Sequence, residues 1–222
     1  LDDDSFEYFL DNVWSKAYNL IANNNVLLEH CDADNATVSP EYYPIVKGEA
    51  LAIRAMLHFD LLRLFGPVYN ESSASQKCIP YQLSSSKDIQ PLLPASEVLQ
   101  NVIKDLEAAS ALLKDADPII TEGVRVTVEN DNGLANNNLN YRQLRLNYYA
   151  VQALLARAYA WGGNTTKAYE IAKNEIIDKI TTEDLEVFPW TTEAAFRADG
   201  KPDKLFSSEV FFAIYNVNRA QT

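Results

Sequence analysis

The 222-residue sequence has two cysteines, two histidines, one methionine and seven glycines, and each scarcity narrows what it can be. Cys31 and Cys78 are too few for a disulfide framework, and neither stands in a C-x-x-C pair, so zinc and dithiol redox chemistry have no footing. A single bridge would suit an exported protein, but two free buried thiols fit the composition better. His30 beside Cys31 lacks the two further ligands that a metal site requires. So few glycines leave no phosphate loop, and neither H-E-x-x-H nor G-x-S-x-G occurs. The acidic pairs Asp105/Glu107 and Glu183/Asp184 lie two or one residues apart, too close in sequence to flank a glycosidic bond, and read as solvated. No catalytic residue, metal or cofactor is expected, and neither is an enzyme.

Positive charge is also in short supply. Nineteen basic residues stand against 31 acidic ones, a formal charge of -12. Polyphosphates are bound by Lys and Arg displacing counterions, so nucleic acid is not expected as a partner. An anionic membrane surface is disfavoured for the same reason, which does not bear on a lipid anchor outside the chain. No run reaches the roughly 18 apolar residues of a membrane span. The longest apolar segment, Leu51 to Phe65, is interrupted by Arg54, His58, Asp60 and Arg63 and reads as a buried helix. The opening Leu1-Asp2-Asp3-Asp4 lacks signal character, so any export signal is expected to have been removed or to lie outside this sequence.

What is present is helical periodicity. Apolar residues make up 47% of the chain, enough for a core that buries roughly 70 to 75% of the unfolded surface. A first helix is expected from about Ser5 to Glu29, with Phe6, Phe9, Leu10, Val13, Trp14, Ala17 and Tyr18 at three- and four-residue steps. The second, Glu41 to Leu64, is apolar on nearly every side and therefore central, and it should stop at a left-handed Gly66 before Pro67. Residues 67 to 94 form a long Ser- and Pro-rich excursion with one short extended piece around Gln76 to Tyr81. A third helix follows Pro94, with Ser96 as N-cap. Turn-rich residues 115 to 140 hold a short strand at Val124 to Val128, and Asp105 and Glu107 face away from the core. The fourth helix, Tyr141 to Trp161, ends in Gly162-Gly163. The fifth, capped by Asn164 or Thr165, must double back on it. A last strand is expected at Glu209 to Tyr215. The fold class is mainly α, with long loop insertions and little β, in one domain over 1–222.

Helices two and four share a pattern. Arg54-Ala55 and Arg157-Ala158 each precede aromatic residues and a glycine stop, Phe65-Gly66 and Trp161-Gly162, and an Ala-rich helix follows. Small residues allow close approach while rings fill the outer wedge, the packing logic of TPR-like helical hairpins. The pairs span about 41–114 and 141–180. Beyond the pattern itself, Gly48-Glu49-Ala50 through Arg54-Ala55, His58-Phe59 and Leu64-Phe65-Gly66-Pro67 resembles the signature helix of the SusD/RagB family. Pro94-Ala95-Ser96-Glu97, Ile103 to Ala109, Ala153 to Tyr159 and Ser208 to Phe212 continue the resemblance in order over residues 5 to 216. It implies a SusD-like α-α superhelix in a lipid-anchored outer-membrane protein at the cell surface. Its implied role is to bind a nutrient, usually an oligosaccharide, for a SusC-like TonB-dependent transporter. Members are about twice this length, and their ligand residues tend to lie before the first helix here or beyond Thr222. The alternative reading is a TPR-like scaffold for another protein, with no small ligand.

Sugar C-H faces stack on flat aromatics while hydroxyls bond to polar side chains. Tyr69, Tyr81 and Trp190, on loops, are therefore the candidate ligand residues, with Asn136 to Asn138 of suitable chemistry. Tyr159 and Trp161 belong to the repeat and are assigned to the core. Arg54 and His58, one turn apart, are expected to satisfy neighbouring carboxylate or backbone groups.

Overall fold

The second helix organises the rest because its apolar residues point in every direction. Residues 3–33, 38–125, 139–182, 185–200 and 202–214 are described by the structure, a computed structural model. Helix α1 spans Asp3–Cys31 and α2 spans Tyr43–Phe65. On α2 the buried set includes Ile45, Ala50, Leu51, Ala52, Ala55, Phe59, Leu61 and Leu62, which leaves no wet apolar stripe, and α1 and α3 (Ala95–Leu113) cover it from two sides. After the single turn α4 (Ile119–Glu122), α5 (Tyr148–Trp161) packs on α3, and α6 (Thr165–Ile171), prolonged by a π-helical turn at Ala172–Ile177, packs on α5. The stacking order is α1-α2-α3-α5-α6, and one hydrophobic cluster runs through it from Ile21 on α1 to Ile171 on α6. A last short helix, α7, covers Glu193–Phe196.

Two glycines set the spacing of the stack. A Cβ on Gly48 would lie 2.8 Å from Leu113 Cγ, so α2 and α3 meet closely there. One on Gly162 would lie 2.6 Å from Leu99 Cδ2, which brings the end of α5 onto α3. Gly163 then turns the chain with φ +84, and Asn164 caps α6 by accepting from Lys167 N.

Several local expectations are corrected. Gly66 is extended (φ -88, ψ 172), not left-handed; its N–H bonds Leu62 O, and a Cβ would lie 2.3 Å from that same oxygen, so glycine serves close approach rather than handedness. Ser96 does not cap α3. Its N–H bonds Ala74 O and that of Ala95 bonds Gln76 O, so the preceding loop supplies the acceptors. The extended piece near Gln76 is strand β1 (Lys77–Ile79), which pairs irregularly and antiparallel with a strand missed in the sequence, β2 (Leu93–Pro94). The fourth helix begins at Tyr148, not Tyr141: Tyr141 is left-handed (φ 54), Arg142–Leu144 is a 3-10 turn, and Asn147 caps the helix by accepting from Ala150 N.

The terminal strand does not form over residues 209–214. Phe211 packs on Phe188 at 4.6 Å between centroids, Phe211 O accepts from Asn147 Nδ2, and Ala213 N donates to Gln143 O. This apolar run is held by a ring contact and by single hydrogen bonds to the α5 approach, and among the described residues no strand lies beside it to complete a ladder. Val124 and Arg125 are likewise not in a strand; the rest of Val124 to Val128, Asn136 to Asn138, Glu183/Asp184 and Tyr215 lie outside the described residues. Among the described residues no helix is long and apolar enough to cross a membrane, and Cys31 and Cys78 are free thiols.

Candidate functional site

Arg54 and His58 project from α2 into the interior and are fully engaged there. Arg54 makes a two-pronged ion pair with Asp105 of α3, Nε to Oδ2 at 2.7 Å and Nη2 to Oδ1 at 2.8 Å, and its Nη1 reaches Asn25 Oδ1 on α1. Asp105 is thus buried at 6% exposure, correcting the expectation that it faces away; only Glu107 does. The cause is Arg54, a buried fork that needs a carboxylate opposite it. His58 Nδ1 lies 2.9 Å from Arg54 O, and Nε2 accepts from Gln82 N at 3.0 Å, which fixes a neutral ring with its proton on Nδ1. Burial pushes that imidazole down to about 4. These groups join α1, α2, α3 and the loop before β2, and the carboxylate and guanidinium are committed to one another inside the stack.

A second buried cluster does the same work lower in the stack. Arg142 bonds Asp117 at 2.9 and 2.8 Å and pairs with Glu49, while Asp117 also accepts from Ile119 N and Tyr148 N. It ties α2 to the starts of α4 and α5. Among the described residues no group of three His, Cys, Asp or Glu side chains is placed to hold a metal ion.

The three candidate aromatics separate. Tyr81, expected on an accessible loop, is 5% exposed: its ring stacks on His58 at 3.8 Å, and its hydroxyl donates to Asp105 Oδ2 at 2.7 Å. It belongs to the interior, because the chain from β1 runs directly over α2 and α3. Trp190 is 77% exposed on the loop before α7. Tyr69 is half-buried, and it is the one that meets another ring at the surface: its centroid lies 4.7 Å from that of Trp161, with the planes 37° apart.

Local chemistry holds this pair in place. Pro67 ends α2, and Asn70 then ties the next turn, its Oδ1 accepting from Ser72 N, Ser73 N and the Ser72 hydroxyl, while Ser73 Oγ donates to Val68 O. Tyr69 sits inside that knot. Trp161, the last residue of α5, meets Phe59 edge-on at 5.7 Å. Beside the two rings opens a cleft of about 460 Å³, completed by Asn70, Glu71, Ala74 and the bare backbone of Gly162 and Gly163. Glu71 is exposed, and no described residue engages its carboxylate. The volume is that of a small-molecule site, with apolar walls and a few polar groups. Trp161, assigned to the core from the repeat, is half-buried: it anchors on Phe59 but also lines the cleft. The available signal was the glycine pair after it, since a ring at the last helical position lacks a following turn to cover it.

Residues 3–122 match the model of a SusD-like family described as starch-binding and associating with the outer membrane. None of the curated proteins matches. A putative sugar binding protein from Bacteroides vulgatus ATCC 8482 is 26% identical with a TM-score of 0.62, over 90% of this chain and 40% of that one. A SusD superfamily protein from Bacteroides thetaiotaomicron VPI-5482 is 24% identical with a TM-score of 0.59, over 75% of this chain and 32% of the other. A SusD-like carbohydrate binding protein, also from Bacteroides vulgatus ATCC 8482, is 22% identical at a TM-score of 0.58, over 83% and 33%. The last two likenesses show the fold, and this chain spans 32 to 40% of the length of the three structures.

Proposed function

Because the chain belongs to the SusD-like family, whose description is starch-binding and associating with the outer membrane, we propose that it is the helical part of a non-enzymatic glycan-capturing subunit. In this reading the whole protein sits at the cell surface on a lipid anchor outside the present chain. It takes up an oligosaccharide and passes it to a SusC-like TonB-dependent transporter. The observation that carries it is the family match over α1 to α4, which includes the central helix and its buried Arg54–Asp105 pair. The sugar-binding description of the 26% identical Bacteroides vulgatus protein supports a glycan as cargo. Binding without turnover suits an interior whose buried carboxylates Asp105 and Asp117 are each committed to an arginine, leaving neither as a general acid.

The test is to purify the native full-length protein from fractionated cells. It should travel with the outer membrane and bring a transmembrane β-barrel with it. Recovery from the soluble cytoplasm with soluble clients would contradict the proposal and favour a protein-binding scaffold. That second reading has one observation behind it: Phe6, Tyr8 and Phe9 on the first turns of α1 are 53%, 71% and 60% exposed.

A further inference from the structure

We infer that the Tyr69–Trp161 cleft is a carbohydrate subsite that accepts one neutral pyranose unit of a glycan, stacked on the exposed ring surface and hydrogen-bonded through a hydroxyl to Glu71. The inference rests on the proposed glycan-binding function and goes beyond it by placing a site on the helical stack. Four features of the cleft combine.

The first is a pair of rings packed on one another before any ligand arrives: the backbone beside Tyr69 is tied by the Asn70 turn, and Trp161 is backed by its edge contact with Phe59. Stacking on a ring already held in place costs little side-chain entropy, so more of the interaction appears as affinity. The second is Glu71, a carboxylate at the rim with no described partner, ready to accept from sugar hydroxyls.

The third is the wall at Gly162 and Gly163. The space where a Cβ on Gly163 would stand is open, so a flat ring can approach the backbone there. The fourth is charge. No Lys or Arg lines the cleft, Glu71 is acidic, and the chain carries -12 overall, so a uronic acid or sulfated sugar would meet repulsion without a counter-charge. A neutral unit meets none. With a single carboxylate in the cleft there is no acid–base pair to cleave the glycosidic bond, and the subsite holds its ligand unchanged.

The experiment uses the full-length protein, calorimetric titration with neutral oligosaccharides derived from starch, laminarin, plant and host glycans, and hydroxyl-radical footprinting read by peptide mass spectrometry. With a bound neutral oligosaccharide, oxidation of Tyr69 and Trp161 should fall at least about threefold, as expected for rings covered by a ligand. An oligogalacturonide should not protect them. Tyr69→Ala should abolish protection of Trp161 and Glu71→Ala should weaken it about tenfold, whereas Tyr69→Phe, which keeps the ring, should retain it. Binding by calorimetry without protection at Tyr69 and Trp161 overturns the subsite and leaves the glycan-binding function standing. Equal protection by the oligogalacturonide overturns the neutral class. Absence of binding to every oligosaccharide overturns the function and the subsite together.

Discussion

Among single side chains, Asp105 binds both prongs of Arg54 and the Tyr81 hydroxyl, all in the buried interior. A buried ion pair of this kind is worth little against an apolar pair of equal shape, but removing one half strands the other charge. Arg54→Met should therefore lower stability by about 3 to 5 kcal/mol in urea unfolding, and Arg54→Met with Asp105→Leu should recover most of the loss. His58, packed between Tyr18, Tyr81 and Arg54, supplies a pH signature. Burial first of all pushes its ring from 6.5 to about 4. The unfolded chain thus binds the proton more readily, and His58's contribution is complete above pH 6.5 and lost as pH falls through 4. The full effect is roughly 3 kcal/mol. His58→Gln should flatten the stability profile between about pH 6.5 and 5.5, measured by urea midpoints, above the range where ordinary carboxylates titrate. That Arg54 and His58 serve the interior was legible from their helical spacing on an apolar helix. That Asp105 is their partner was not, because an acidic residue next to Lys104 and two before Glu107 reads as solvent-facing until α3 is docked on α2.

Among the helices, sequence periodicity located α1, α2, α3, α5 and α6, and with them the mainly helical class. Their ends were harder, since a cap depends on what lies across from it. Ser96 has the right chemistry for an N-cap, yet Gln76 O and Ala74 O already satisfy the first N–H groups of α3. Tyr141 to Leu146 continues the apolar spacing of α5, yet Arg142 is drawn to Asp117 and Glu49 and turns the chain aside. Asn147 closes that detour: it caps α5 and also donates to Arg142 O and Phe211 O. Asn147→Ala should cost about 2 kcal/mol or more, a cap plus stranded carbonyls, read as a lowered melting temperature. Gly48 tests the spacing of α2 and α3 directly. Alanine gains up to about 1 kcal/mol of helix propensity, but its methyl would crowd fully buried Leu113, so a net loss of about 1 to 2 kcal/mol is expected on thermal unfolding. Gly48→Ala combined with Leu113→Val should restore part of it.

As one body, the stack α1-α2-α3-α5-α6 is continuous even though loops of unequal length interrupt the repeat. This is why a strict repeat of about 34 residues was absent from the sequence while its packing logic survived: small residues and rings carry the helix contacts, and the loops are free to lengthen. The candidate cleft was only half legible. Tyr69 stood out as a loop aromatic, but its neighbour Trp161 comes from a helix end some ninety residues later, and only the folded stack brings the two rings within 4.7 Å. Tyr81 had the same sequence credentials as Tyr69 and went inward, because β1 carries it across α2. The central claim is capture of a glycan without chemistry. Its most direct test is calorimetry of the full-length protein with a panel of storage, plant and host oligosaccharides, each mixture then chromatographed for cleavage products. Saturable binding of at least one oligosaccharide, recovered intact, is the expected result; silence across the panel, or release of shorter sugars, would contradict the account.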